Sequence, residues 1–187
     1  IDEPLRMAFM GRITAVKNVG YAIKTLALVK TPVRFDLFGP RSDALYAQAC
    51  EELSAGLPPH IKVRFMGEIS NDDAPRTMAG YDLMFMPTLG ENFGHSIFES
   101  LGAGTPVLIS DRTPWRGLAA RQAGFDLPLD EPSAFAAAID RFSAQTPAER
   151  AFWRACARAE AERSSLMSGA VARSGAMLRA TLANVEL

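Results

Sequence analysis

The sequence predicts an α/β protein: a Rossmann-like, doubly wound parallel sheet with helices on both faces. Three observations carry that expectation. Short apolar runs alternate with longer helical stretches, the runs are apolar on both alternating faces, and most of them close on glycine, proline or a polar turn. Strands apolar on both faces need cover on both, which a parallel sheet under two helical layers provides. The predicted strands span residues 6–10, 34–38, 62–66, 83–86 and 107–110, with a weaker one at 125–129. Helices are expected at 19–29, 42–55, 74–78, 96–103, 115–122 and 133–142. The alanine- and arginine-rich tail, 147–187, reads as helical throughout. Ser133 after Pro132 is the expected N-cap of one helix, and Gly104 the stop of another. Asn71-Asp72-Asp73 reads as a helix start, where acidic side chains favour the positive end of the dipole. With no internal repeat, low-complexity linker or compositional break, residues 1–187 read as one domain.

Composition limits the partners. The 187 residues are 48% hydrophobic and 22% charged, enough for a single core. Twenty basic and 21 acidic side chains leave a formal charge of −1, so no basic excess drives nucleic-acid binding. Cys50 and Cys156 have neither zinc nor redox spacing, which points to a reducing compartment without a disulfide framework. No apolar segment approaches the ~20 residues that span a bilayer, and the first ten residues lack a signal-peptide pattern. The chain reads as cytoplasmic. It enters its first strand almost at once and without an initiator methionine, which reads as a piece of something longer.

In an open parallel sheet, ligands bind beyond the carboxyl ends of the strands, and the polar motifs here follow predicted strands. Gly11-Arg12 ends the first strand, with Lys17-Asn18 just beyond. Glycine allows the sharp turn; an arginine fork and a lysine point charge can then converge on a diphosphate. Taken alone, the same residues also describe a solvated turn with two surface cations. Phe38-Gly39-Pro40 and Gly67-Glu68-Ile69 end the second and third strands, either as plain turns or as backbone ledges for a planar base. The most specific block runs from Thr88 to Ser110. Glu91 lies in a loop and Glu99 about one turn inside the following helix, around Asn92-Phe93-Gly94. The loop N–H groups and the helix N-terminus can face a diphosphate, while the carboxylates accept hydrogen bonds from hydroxyls. Paired carboxylates also serve glycoside hydrolysis, but a hydrolase has no diphosphate for a glycine loop and cation pair to hold. His95 and Ser96 form the expected helix start. With His60 as the one other histidine and no His/Cys/Asp cluster, no catalytic metal is expected. Arg150, Arg154 and Arg158 recur at helical spacing, which reads as a solvated face before a lipid-facing one.

Gly11-Arg12 with Lys17-Asn18, Gly67 after the third strand, and Glu91-Asn92-Phe93-Gly94 through Glu99 to Gly104-Thr105-Pro106-Val107 resemble the C-terminal, nucleotide-sugar-binding half of GT-B glycosyltransferases. Among these, the residues are similar to family 4 (group 1), a retaining group. The resemblance covers roughly residues 5–129, and its strongest part is two glutamates separated by seven residues that include Phe-Gly. It implies hexosyl transfer from a UDP or GDP sugar without a metal or cofactor. Arg12 and Lys17 match the pair that holds the donor diphosphate and stabilises charge as it leaves. Glu91 matches the sugar-hydroxyl ligand. The backbone of Asn92, Phe93 and Gly94 lines the sugar and phosphates, beside Gly11, His95 and Ser96. Glu99 matches the ribose ligand, and Gly67, Glu68 and Ile69 border the base. The cations and helix N-terminus take the place of a divalent ion.

The resemblance also implies partners. These are an N-terminal acceptor-binding domain of the same enzyme, absent from these residues, and a carbohydrate or lipid-linked acceptor. The setting is bacterial polysaccharide or lipopolysaccharide assembly at the inner face of the membrane. Without the partner domain the cleft cannot close, so donor binding without efficient transfer is expected. One departure is Phe38-Gly39-Pro40-Arg41, where many relatives carry Gly-x-Gly, which leaves the local base contacts open. A dinucleotide oxidoreductase is disfavoured because no Gly-x-Gly-x-x-Gly follows the first strand. A sugar-nucleotide epimerase and a non-catalytic nucleotide-binding or interaction module remain as alternatives.

Overall fold

In the computed structural model, which describes the backbone of residues 3–183 and side chains as far as residue 166, six strands form one all-parallel sheet. The strands are β1 (Leu5–Met10), β2 (Val33–Phe38), β3 (Ile61–Gly67), β4 (Leu83–Met86), β5 (Val107–Ser110) and β6 (Gly124–Leu127). The order is β3-β2-β1-β4-β5-β6. Successive strands therefore step outward from β1 in one direction and from β4 in the other. The gap between the carboxyl ends of β1 and β4 is the point where connections leave on opposite sides, and a crevice opens there.

The helices are α1 (Val19–Leu26), α2 (Ala44–Ala55), α3 (Ala74–Ala79), α4 (His95–Gly102), α5 (Pro132–Ser143) and α6 (Pro147–Ala183). α1 packs with α2 and α5, while α4 packs with α3 and α6, giving a helical layer on each face. Every residue of β4 and β5 is buried, as strands covered on both sides must be. β3 differs: at the sheet edge, Lys62, Arg64 and Met66 alternate outward into solvent. Phe35, Phe85 and Phe135 form a chain of ring contacts, with centroids 5.9 and 5.8 Å apart, that joins β2, β4 and α5.

Several local expectations need correction. No helix forms at 115–122, because Gly117 (φ +66°) and Gln122 (φ +54°) are left-handed and the Asp126 carboxylate takes the Gly117 and Leu118 N–H groups at 3.0 and 2.9 Å. α1 stops at Leu26, and Ala27, Leu28 and Val29 then bond three residues back in a tightened turn. α5 is capped at Glu131 with Pro132 as its first residue, so Ser133 lies inside it. Gly104 does end α4 in the left-handed conformation, at φ +77°. β6 begins one residue earlier and ends two earlier than expected. The tail is helical to Ala183, and the expectation for 184–187 lies outside the described residues.

α6 starts with a reciprocal cap: Thr146 N–H donates to Glu149 Oε2 at 2.7 Å, and Glu149 N–H donates to Thr146 Oγ1 at 3.2 Å. Its arginines are not simply a solvated face. Arg154 donates to the Tyr81 and Ala79 carbonyls at 2.8 and 2.6 Å, satisfying the end of α3, and Arg150 donates to Ser143 O at 2.7 Å. Glu160 is buried under Arg121 and Arg163, each within 3.0 Å, and this pins α6 to the loop before β6.

Candidate functional site

A cleft of about 560 Å³ occupies the crevice at the β1/β4 switch point. One wall is a bonded row of turns from β1, β2 and β3. Gly11 N–H donates to Phe38 O at 3.0 Å, Ile13 N–H to Pro40 O at 2.9 Å, and Gly39 N–H to Gly67 O at 2.8 Å. Gly39 is more than a plain turn. Its backbone (φ +138°) lies so close to the Gly11 carbonyl that a Cβ would stand 2.0 Å from the oxygen, so only glycine fits.

The opposite wall is the loop from Pro87 to Gly94 and the start of α4. Asn18, left-handed at φ +59°, donates its side-chain amide to Pro87 O at 3.0 Å. Thr88 is fully buried, and its hydroxyl lies within hydrogen-bonding distance of both Val16 O (3.1 Å) and Gly90 O (3.0 Å). Leu89 N–H donates to Val16 O at 2.8 Å, and Glu91 N–H to Arg112 O at 3.1 Å. Trp115 Nε1 donates to Phe93 O at 2.7 Å, and its ring packs on Phe93 and Phe98. Gly94 caps α4 at φ +80°, in a space where a Cβ would meet Ile97 at 2.8 Å and Trp115 Nε1 at 3.2 Å. The loop is thereby fixed before any ligand arrives.

Of the residues expected at the site, Gly11, Arg12, Lys17, Glu68, Ile69, Glu91, His95, Ser96 and Glu99 all line the cleft. Lys17 Nζ is ion-paired with Glu91 Oε1, joining the turn after β1 to the loop after β4. Both side chains are largely shielded, at 18% and 13% exposure, so the pair is held rather than solvated. Arg12 is exposed and Glu99 half-buried; among the described residues neither side chain makes a hydrogen bond or ion pair. The N-terminus of α4, at His95 and Ser96, opens into the same space, where unsatisfied N–H groups favour an anion. The remaining four residues lie beside the cleft lining, Gly94 as the left-handed cap of α4 already described. Gly67 borders it as the bonded end of β3, at φ +79°. Asn92 faces an adjoining compartment. Phe93 turns its ring toward His95, 4.9 Å away, and away from the cleft lining.

Phe38, Gly39 and Pro40, which the sequence offered as a turn or a ledge for a base, line the cleft, and so does Asn71, so the segment read as a helix start also supplies cleft surface. Trp115, assigned to a helix that does not form, is the buttress of the loop; Thr113-Pro114 before it and Gly117 after it were the available signals. Among the described residues, no three His, Cys, Asp or Glu side chains converge as a metal site requires. Arg12 and Lys17 opposite three carboxylates at Glu68, Glu91 and Glu99 form a site of mixed charge, able to hold a polyanion at one point and hydroxyls at others.

Residues 4–145 match the family described as Glycosyl transferases group 1. The chain belongs to that family. It is 32% identical over 143 residues to the phosphatidyl-myo-inositol mannosyltransferase of Mycolicibacterium smegmatis, an alignment covering 73% of this chain and 36% of that protein. It is 32% identical over 106 residues to the 2-deoxystreptamine glucosyltransferase of Streptomyces kanamyceticus, covering 54% of this chain and 26% of that protein. The chain thus spans about a third or less of these relatives. The fold resembles Anabaena Alr3699/HepE, solved with UDP and glucose, at TM-score 0.74 and 21% identity, over 93% of this chain and 48% of that one. It resembles WaaG, a glycosyltransferase of lipopolysaccharide biosynthesis, at TM-score 0.66 and 21% identity, over 87% of this chain and 44% of that one. This group 1 glycosyltransferase domain therefore has the Rossmann-like α/β fold of GT-B glycosyltransferases. Among the described residues no helix is long and apolar enough to cross a membrane.

Proposed function

We propose that this chain is the donor-nucleotide domain of a retaining, metal-independent family 4 hexosyltransferase, and that an acceptor-binding domain of the same enzyme completes it. The observation that carries this reading is the convergence of Arg12, Lys17, Glu91 and Glu99 on one cleft at the strand-order switch, with the N-terminus of α4 opening into it. The diphosphate of a UDP or GDP sugar lies against Arg12, Lys17 and the first N–H groups of α4. Glu99 accepts hydrogen bonds from the ribose hydroxyls, and the base rests along Glu68 and Ile69. Glu91, oriented by Lys17, accepts from the hydroxyls of a mannose or glucose.

Charge that grows on the departing diphosphate meets preorganised cations and helix N–H groups, the service a divalent ion gives elsewhere. The acceptor hydroxyl attacks the face the diphosphate leaves, and a diphosphate oxygen takes its proton, so configuration is retained. The mannosyl and glucosyl chemistry named for the relatives supports a hexose donor, and the likeness to WaaG supports bacterial polysaccharide or lipopolysaccharide assembly. The isolated chain binds donor and transfers little, because half of the cleft belongs to the other domain.

A thermal-shift panel of UDP, GDP, ADP and dTDP with their sugar nucleotides, with and without EDTA, tests this reading. Ligand at ~100 times its dissociation constant stabilises the fold by about 2.7 kcal/mol. A base-selective rise in Tm that persists in EDTA is expected. A response that EDTA abolishes would refute metal independence. Efficient transfer by the isolated chain would refute the need for the second domain.

A further inference from the structure

Beyond the Lys17–Glu91 pair lies a second compartment of about 560 Å³, separate from the donor cleft and sharing Arg12, Lys17 and Glu91 as its dividing wall. Its far side is Arg112, from the loop after β5, with Asn92 and Thr14 between. Lys17 and Glu91 neutralise one another across the wall, which leaves two guanidinium groups facing the space from opposite loops. Arg12 is exposed and, among the described residues, unpaired. Arg112 is 62% exposed and, among the described residues, its side chain is ion-paired with its neighbour Asp111 at 3.3 Å. Arg112 is nonetheless positioned: its carbonyl holds the Glu91 N–H at 3.1 Å, and its N–H donates to Ser110 Oγ at 3.3 Å, so its backbone moves with the donor loop.

The Arg112 fork, the Arg12 fork at the shared wall, an amide and a hydroxyl around one opening suit a phosphate, whose three terminal oxygens and greater negative charge match this set of donors better than the two oxygens of a carboxylate. The rim is apolar. Val16 and Leu89 are 56% and 54% exposed and are joined by a backbone hydrogen bond of 2.8 Å. The transferred sugar, on the donor reading above, sits at Glu91, so whatever fills this compartment lies beside the reacting carbon. We infer that the compartment is an acceptor subsite in which Arg112 holds a phosphate group carried by the acceptor, beside the Arg12 that the wall shares with the donor cleft. This rests on the donor reading only for the word acceptor; the phosphate site itself stands on the geometry.

The test is calorimetry on this chain saturated with UDP, so that the donor cleft is filled, with glycerol phosphate as the titrant. Binding to the UDP-saturated chain is expected, weakened about tenfold by Arg112→Ala and partly kept by Arg112→Lys, with UDP affinity changed less than about twofold. Short-chain dihexanoylphosphatidylglycerol forms a second arm. If it binds tighter than glycerol phosphate and Leu89→Ser removes the difference, the phosphate belongs to an amphiphile; equal binding assigns it to a soluble acceptor. The proposal is overturned if UDP displaces glycerol phosphate, which would place the anion in the donor cleft, or if Arg112→Ala binds as the native chain does. Should UDP itself not bind, the donor reading fails separately. The Arg112→Ala comparison on the unliganded chain then decides the phosphate site by the same criterion.

Discussion

Replacing Gly39 with alanine tests the row of turns that builds one wall of the cleft. The added Cβ would stand 2.0 Å from the Gly11 carbonyl oxygen and 2.7 Å from its carbon, both backbone atoms that cannot swing aside. Restoring ordinary contact near 3.4 Å requires the β1 and β2 turns to part by 1.4 Å, the difference from 2.0 Å. Overpacking of this kind costs about 1–3 kcal/mol, and a non-glycine residue in a sparsely populated positive-φ region costs about 1–3 kcal/mol more. The expected loss is about 4 kcal/mol, a fall in Tm of about 8–16 °C for a domain of this size. Parting the turns also displaces Gly11 and Arg12, so UDP affinity falls with stability. Urea unfolding followed by tryptophan fluorescence measures the first effect and calorimetry the second. Two controls separate the causes. Gly67→Ala has a φ of +79° but nothing within 4 Å, so only backbone strain of about 1–2 kcal/mol is expected. Gly90→Ala meets open space and should change stability by less than about 0.5 kcal/mol. If Gly39→Ala proves as stable as Gly90→Ala, the close approach of the turns is not what holds this wall.

Four further outcomes are expected. Trp115→Phe removes the hydrogen bond to Phe93 O and should cost about 1 kcal/mol, while weakening sugar-nucleotide binding more than nucleotide binding, by calorimetry. Lys17→Met should weaken UDP about tenfold or more by removing a charge-assisted contact. Glu91→Gln should leave UDP within about twofold and reduce the advantage of the sugar nucleotide over the nucleotide. Asp36 sets an acid limit. Burial pushes its carboxyl up, but the Arg64 fork at 2.7 Å, the Tyr81 hydroxyl and Arg34 outweigh that and hold it below its ordinary value of 3.8. The depressed folded value means that its contribution is present above that ordinary value and is lost as pH falls through the folded one. Asp36→Asn should therefore flatten the acid limb of a pH–stability curve and cost about 1–3 kcal/mol at neutral pH.

The strands could be read because their signal is local: a run such as Leu83–Met86 is apolar on both faces whatever lies beside it, and its limits agree with the structure to the residue. Much of the cleft lining was readable for the same reason, since glycines at strand ends and the Glu91-to-Glu99 block are contiguous motifs. Long-range contacts were not. The helix expected at 115–122 fails because Asp126, several residues later, captures two N–H groups that a helix needs. Trp115 then becomes a buttress for a loop more than twenty positions earlier, which no periodicity records. Arg154 reads as surface charge until α6 lies across the end of α3 and two carbonyls come within reach. Asn71 looked like a helix start, and only the sheet order brings it to the cleft.

The most direct test of the donor-site account is a calorimetric titration of UDP and GDP into the native chain, Arg12→Ala and Glu99→Gln, all in EDTA. The account predicts that one nucleotide binds the native chain with EDTA present, that Arg12→Ala weakens it about tenfold or more through the lost diphosphate contact, and that Glu99→Gln weakens it through the ribose. Binding by neither nucleotide, or binding indifferent to both substitutions, would contradict it.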